Sequence, residues 1–227
     1  MKRPVVMTAA VLALGIAAVP LSANRSHGVR EYAVTVENLT PAGSQPLSPP
    51  LLVVHSDRAH VWGVGEIATH PVAGLAEDAD NGPAISAYGS VPGVRSAATG
   101  VDRGATAAAP IAPGASQTYV VRARPGDRLS LLSMLVNTND GFTGLDALRL
   151  RDGTVTVRAR AYDAGSEVDD QLAAHIPGPA GGHRFVRNPE GAVITMHPGI
   201  LPGVGDLDPA MYGWSGPVAR ITVAPAG

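Results

Sequence analysis

Alternating apolar and polar positions run through much of the chain after residue 30 and predict strands. Val34 and Val36 alternate with Thr35 and Glu37, and Asn38-Leu39-Thr40-Pro41-Ala42-Gly43 supplies the turn residues that end such a strand. Leu51-Leu52-Val53-Val54-His55 is an unbroken apolar run after Ser48-Pro49-Pro50, the pattern of a strand covered on both faces. Residues 61–80 mix Gly and Ala with Ile67 and Leu75 and predict short helical turns. Residues 81–116 lack periodicity and read as a long surface connection. Residues 117–124 and 128–136 are two strands joined by Pro125-Gly126-Asp127, which predicts a hairpin. Residues 154–162 form one alternating run, with Val155, Val157, Ala159 and Ala161 against Thr156, Arg158 and Arg160. Residues 185–187, 192–196 and 218–223 predict further strands, the last closing the sheet. About eight short strands without a βαβ rhythm predict an all-β fold, an antiparallel β-sandwich with short helices in its connections.

The first 23 residues have a different pattern. Lys2 and Arg3 precede an apolar run from 5 to 19, Pro20 closes it, and Leu21-Ser22-Ala23 ends on a small residue. This predicts a cleaved signal peptide, residues 1–23, and a secreted or periplasmic location. The run is too short for the ~20 apolar residues of a spanning helix, so no membrane span is expected after cleavage. The remainder, 24–227, is expected to be a single domain. The composition of the full chain, with 45% hydrophobic and 16% charged residues, supplies one core, while 27 Gly and 20 Pro mark it as turn-rich. The absence of Cys excludes thiol nucleophiles, Cys-ligated metals and disulfides. Lys2 is the only lysine and acidic residues outnumber basic ones, 19 to 17. No basic stripe is present to neutralise phosphates, so nucleic acid is not an expected partner.

Candidate chemistry lies in two oxygen-rich segments. Asn137-Thr138-Asn139-Asp140-Gly141-Phe142-Thr143-Gly144-Leu145-Asp146 and Tyr162-Asp163-Ala164-Gly165-Ser166-Glu167-Val168-Asp169-Asp170 each follow a predicted strand. Carboxylates from separate loops can meet around a Ca²⁺ ion, which takes six to eight oxygens. Gly165 allows the chain to turn between Asp163 and Glu167, so that both can face one ion. The same residue types are also ordinary turn formers at solvated loop tips, and spacing alone leaves both readings open. Asp146, Asp169 and Asp170 are candidates for outer ligands or charge balance, but solvated loop charges are the expected reading, with Asp146 at the start of a short helix.

With these two motifs, and with Tyr32-Ala33-Val34-Thr35-Val36-Glu37-Asn38-Leu39-Thr40, Leu47-Ser48-Pro49-Pro50 and Leu75-Ala76-Glu77-Asp78, the chain resembles the spondin-type domain in its bacterial form. The resemblance covers residues 31–177, with C-terminal strands expected over 183–223. It implies a C2-like sandwich holding one divalent ion, Ca²⁺, by Asp140, Asp163 and Glu167. Gly141 stands where the animal members carry Trp, Glu167 where they carry Asp, and their flanking cysteines are absent.

None of the seven histidines shows the His-Glu-x-x-His spacing of a helical zinc site. His55, at a strand end, reads as a structural histidine; His27, His60 and His70 as surface or loop residues; nothing in the sequence favours His197. No Gly-x-Ser-x-Gly elbow or phosphate-cradling glycine loop is present. Trp62 and Trp214 read as core aromatics. The expectation is a secreted, calcium-binding, non-enzymatic adhesion or interaction module whose partner is a protein or a cell-surface or matrix ligand. The alternatives are a metal-assisted hydrolase with a histidine beside the carboxylates, and a metal-free structural sandwich.

Overall fold

In the computed structural model, residues 28–226 are described, and the expected leader lies outside them. The chain order is β1 (Arg30–Asn38), β2 (Leu51–His55), α1 (His70–Asp78), α2 (Asn81–Gly89), β3 (Val94–Thr99), β4 (Ser116–Ala123), β5 (Arg128–Met134), β6 (Gly141–Arg149), β7 (Val155–Ala159), β8 (Ala161–Asp163), β9 (Thr195–Met196), α3 (Pro209–Tyr212) and β10 (Ala219–Pro225). They form two antiparallel sheets, ordered β4-β1-β10-β7 and β3-β2-β5-β6-β8-β9. The fold is an all-β sandwich carrying a few short helices.

The side-chain pattern places the core. Tyr32, Val34 and Val36 of β1, Tyr119 and Val121 of β4 and Ile221 and Val223 of β10 meet Leu52, Val54, Leu129, Leu131 and Leu145 of the other sheet. β2 is buried along its whole length, as its unbroken apolar run predicts. Its alternate residues, Leu51 and Val53, face a second core with Val72 and Leu75 of α1, Ala84 and Tyr88 of α2, and Leu132 and Phe142. The two helices thus cover the outer face of the six-stranded sheet. Trp62 belongs to this second core, its ring 5.0 Å from and edge-on to Phe142. Trp214 is only partly buried. His55 is fully buried, its ring nitrogens 2.8 Å from Ser56 O and 2.9 Å from Ser130 Oγ, as expected of a structural histidine.

Several sequence expectations are corrected. Residues 81–116 are not all connection, since they contain α2 and β3. Ala, Gly and Ser give α2 little apolar contrast, but Asp80 caps its start by accepting from Gly82 N, and β3 is a half-exposed edge strand. Residues 117–136 are not a hairpin, because β4 and β5 lie in different sheets. The Pro125-Gly126-Asp127 turn instead carries the chain across the sandwich, with Gly126 at φ 93° and Asp127 Oδ2 accepting from Arg124 N. Residues 154–162 likewise break at Arg160 into β7 and β8, one strand for each sheet. Residues 141–146 are strand β6, so Asp146 starts no helix. Residues 185–187 form no strand, and Phe185 adopts φ 64°. β10 does not close a sheet edge but lies between β1 and β7.

Candidate functional site

Strand pairing builds the acidic site. β5 and β6 are joined by a tight turn in which Thr138 Oγ1 donates to Leu135 O at 2.6 Å and accepts from Gly141 N at 2.9 Å. Asp140 is the last residue before β6. The β6–β8 ladder sets Gly141 opposite Asp163, and Ala164 N donates to Asp140 O at 3.3 Å. This pairing brings two carboxylates, 23 positions apart in the sequence numbering, to one strand end.

Asp140 is fully buried. Its Oδ2 accepts from Ser166 N at 2.8 Å, Ser166 Oγ at 3.1 Å and Glu167 N at 3.0 Å. Its Oδ1 is buried and has no partner. Burial pushes this carboxyl above the usual range and the Asp163 charge pushes it further, while the hydrogen bonds from Glu167 and Ser166 pull it back. Asp163 Oδ1 accepts from Gly165 N at 2.6 Å. Burial raises its pKa as well. Gly165 has φ 66°, and a Cβ there would lie 2.7 Å from the backbone of Ala192. The turn that directs Ser166 and Glu167 onto Asp140 therefore calls for glycine on both counts.

Glu167 is buried, but its side chain leads elsewhere. Neither of its oxygens accepts a hydrogen bond, and the nearest cation is Arg187, with Nε 3.4 Å from Oε1. Arg187 Nε is also 2.6 Å from Glu77 Oε2, and its guanidinium donates to Asp78. One arginine thus ties the end of α1 to the segment after β8. Burial and then the Glu77 charge push the Glu167 carboxyl up to about 8, against the pull of Arg187.

Asp169 and Asp170 are not simple solvated charges. Asp170 accepts from Asn139 Nδ2, Leu172 N and Asn188 Nδ2 and pairs with His175 Nδ1 at 2.6 Å. Burial acts to raise its pKa, but these hydrogen bonds hold it below the usual range. Asp169 is largely buried, and its Oδ2 has no partner. Burial, then Asp163 and Asp140, push it up to about 8. Its Oδ1 lies 3.5 Å from Nε2 of His197. His197 Nδ1 accepts from Gly199 N at 3.0 Å, which assigns the ring proton to Nε2, facing Asp169. Burial pushes His197 down to about 4, so the ring is neutral at pH 7. The edge of Trp214 packs on it at 5.2 Å.

The site therefore brings together Asp140 and Asp163, sets Glu167 against Arg187, and adds Asp169, from the same oxygen-rich segment, and His197, which carries no signal in the sequence beyond its residue type. Among the described residues, no group of three or more His, Asp or Glu side chains is gathered closely enough to hold a metal ion as it stands. The donor chemistry nevertheless fits a hard divalent cation. All the carboxylates supply oxygen, and Asp140 Oδ1 and Asp169 Oδ2 are bare.

Compared with known proteins, the chain matches no family model, and no curated protein shows significant similarity to it. The spondin resemblance stands on its motifs alone.

Proposed function

We propose that this chain is a calcium-binding β-sandwich of the spondin type, exported from the cytoplasm and acting as a non-enzymatic adhesion or interaction module. The observation that carries this reading is Asp140, a fully buried carboxylate with one oxygen saturated by three donors and the other bare. A buried charge without a partner costs several kcal/mol, and Asp163 beside it adds repulsion. A bound divalent cation supplies the positive charge that this strand end lacks. Asp140 and Asp163 would hold it, while Gly165 and Ser166 keep both carboxylates oriented. Export is supported by the basic, apolar and small-residue order of residues 1–23. A protein, cell-surface or matrix ligand is the expected partner.

The hydrolase alternative requires a histidine beside the carboxylates, and His197 meets that condition. A general base must also reach substrate. The His197 side chain is 2% exposed, with one nitrogen on Gly199 and the other turned to Asp169, and this favours a structural role.

The test is calorimetric titration of the mature protein with Ca²⁺, alongside thermal melts in Ca²⁺ and in chelator. Binding heat and a raised melting temperature are expected, both lost in Asp140→Asn and Asp163→Ala. Identical melts in calcium and chelator, with no heat, would sink the reading.

A further inference from the structure

We propose that the end of the sandwich opposite the acidic segments is a binding surface for an acidic polysaccharide, held by Arg149 and Arg151 with Arg124 beside them. The sequence disperses these arginines over two segments, and the fold joins them. Gly126 N donates to Leu150 O at 3.1 Å and Leu150 N donates to Asp127 O at 2.8 Å, so the β4–β5 and β6–β7 turns are tied into one unit. Leu150 is buried, and the residues on either side of it, Arg149 and Arg151, are exposed. Both line a cleft of about 550 Å³ whose walls include Pro125, Leu148 and Asp152. The Arg149 guanidinium reaches over the other turn, with one nitrogen 3.9 Å from the position a Gly126 Cβ would take.

The acidic residues at this end are already matched. Asp152 pairs with Arg30, Glu31 lies 3.9 Å from Arg122 Nε, and Asp127 accepts from Arg124 N and lies 3.5 Å from Arg95 Nε. Among the described residues, no carboxylate pairs with the side chain of Arg124, Arg149 or Arg151. The acidic site does not neutralise them either. It lies at the other end of β6, whose nine residues rise about 3.3 Å each, so the separation exceeds two Debye lengths at physiological salt. Three exposed arginines left together repel one another, and a multiply charged anion relieves that repulsion. Their paired donors match the oxygens of carboxylate and sulfate groups, which repeat along an acidic polysaccharide. No aromatic side chain stands on either turn to stack on bases, and no large apolar side chain is exposed there to enter a bilayer. Both absences favour a polysaccharide over a nucleic acid or a membrane. The partner class deepens the interaction-module reading and rests on it for a location outside the cytoplasm, but the surface needs no calcium.

The experiment measures equilibrium binding of the full mature chain, in chelator and at low salt, to labelled hyaluronate, dextran sulfate and neutral dextran. Wild type is compared with the double variant Arg149→Gln, Arg151→Gln and with Arg160→Gln, an exposed arginine directly after β7 that controls for charge alone. Melts check that each variant is folded. Wild type is expected to bind a charged polymer and not dextran, with affinity falling as salt is raised. The double variant is expected to lose about tenfold or more in affinity, and Arg160→Gln to stay within about twofold of wild type. Hyaluronate against dextran sulfate separates carboxylate from sulfate recognition. No binding of either charged polymer, equal binding of dextran, or an equal loss in Arg160→Gln overturns the surface. Tighter binding of an oligonucleotide or of phosphatidylglycerol vesicles overturns the polysaccharide assignment. Because every arm is run in chelator, failure here is distinct from failure of the calcium reading.

Discussion

Gly165 and Arg187 show how single residues hold the acidic segments in place. At Gly165 a side chain faces two obstacles, a left-handed φ of 66° and the Ala192 backbone 2.7 Å from the Cβ position. Strained backbone of this kind costs about 1–3 kcal/mol, before the steric contact is added. Gly165→Ala is therefore expected to destabilise the fold by about 2 kcal/mol or more, read as a lower urea midpoint at unchanged slope. It should also weaken calcium binding, because Ser166 and Glu167 donate to Asp140 from the turn that Gly165 permits. Arg187 is the only cation paired with Glu77, Asp78 and Glu167 among the described residues. Removing one partner of a buried pair costs about 3–5 kcal/mol, and partial exposure of Arg187 moves the expectation for Arg187→Gln to about 2 kcal/mol. In a double-mutant cycle with Glu167→Gln, the second change should cost less in the Arg187→Gln background than in wild type. Strict additivity would mean that Arg187 and Glu167 do not interact.

Among the elements, β10 has the largest consequence for its length. It pairs along β1 from Asn38 to Tyr32 on one side and along β7 on the other, and it buries Ala219, Ile221 and Val223. Removing residues 219–227 would leave β7 without its neighbour and expose one whole edge of β1. The truncated chain is expected to lack cooperative thermal unfolding, whereas a truncation ending after residue 225 should melt as wild type does. β10 also marks where local sequence information ends. The period-two pattern of 32–37, 117–124 and 218–223 and the unbroken run of 51–55 made those strands legible, because burial on one face or two leaves a signature in the residues themselves. The partner of each strand leaves no such signature. Pro125-Gly126-Asp127 has the residues of a hairpin turn, yet it crosses between sheets, and the unbroken alternation of 154–162 hides the break at Arg160. The site divides in the same way. Asp140, Asp163 and the need for Gly165 were visible as oxygen-rich turns, and Asp169 lies in the second of them, but His197 and Arg187 come to the site only through the β6–β8–β9 pairing and the return of residues 183–197.

At the scale of the molecule, the acidic segments lie where the six-stranded sheet, the end of α1 and the long return from 164 to 194 meet, and no disulfide fastens them. One electrostatic link takes that place, Arg187 joining α1 to the return, while Asp140 and Asp163 come together at the end of β6 and β8. A ligand that binds only the folded chain stabilises it by RT ln(1 + [L]/Kd), about 2.7 kcal/mol at a hundredfold excess over Kd. For a domain of 150–250 residues each kcal/mol shifts the melting temperature by about 2–4 °C. Saturating calcium is thus expected to raise the midpoint by roughly 5–10 °C over chelator. The gain should be local as well as global. Amide exchange in residues 137–142 and 163–171 is expected to slow in calcium, because those backbones carry the carboxylates and their donors. The amides of β1 and β10, paired in the other sheet, are expected to exchange only through global opening and to slow no more than the midpoint shift requires. Slowing spread evenly over both sheets, with none in excess at 137–142 and 163–171, would place the ion elsewhere on the molecule and detach the calcium effect from Asp140.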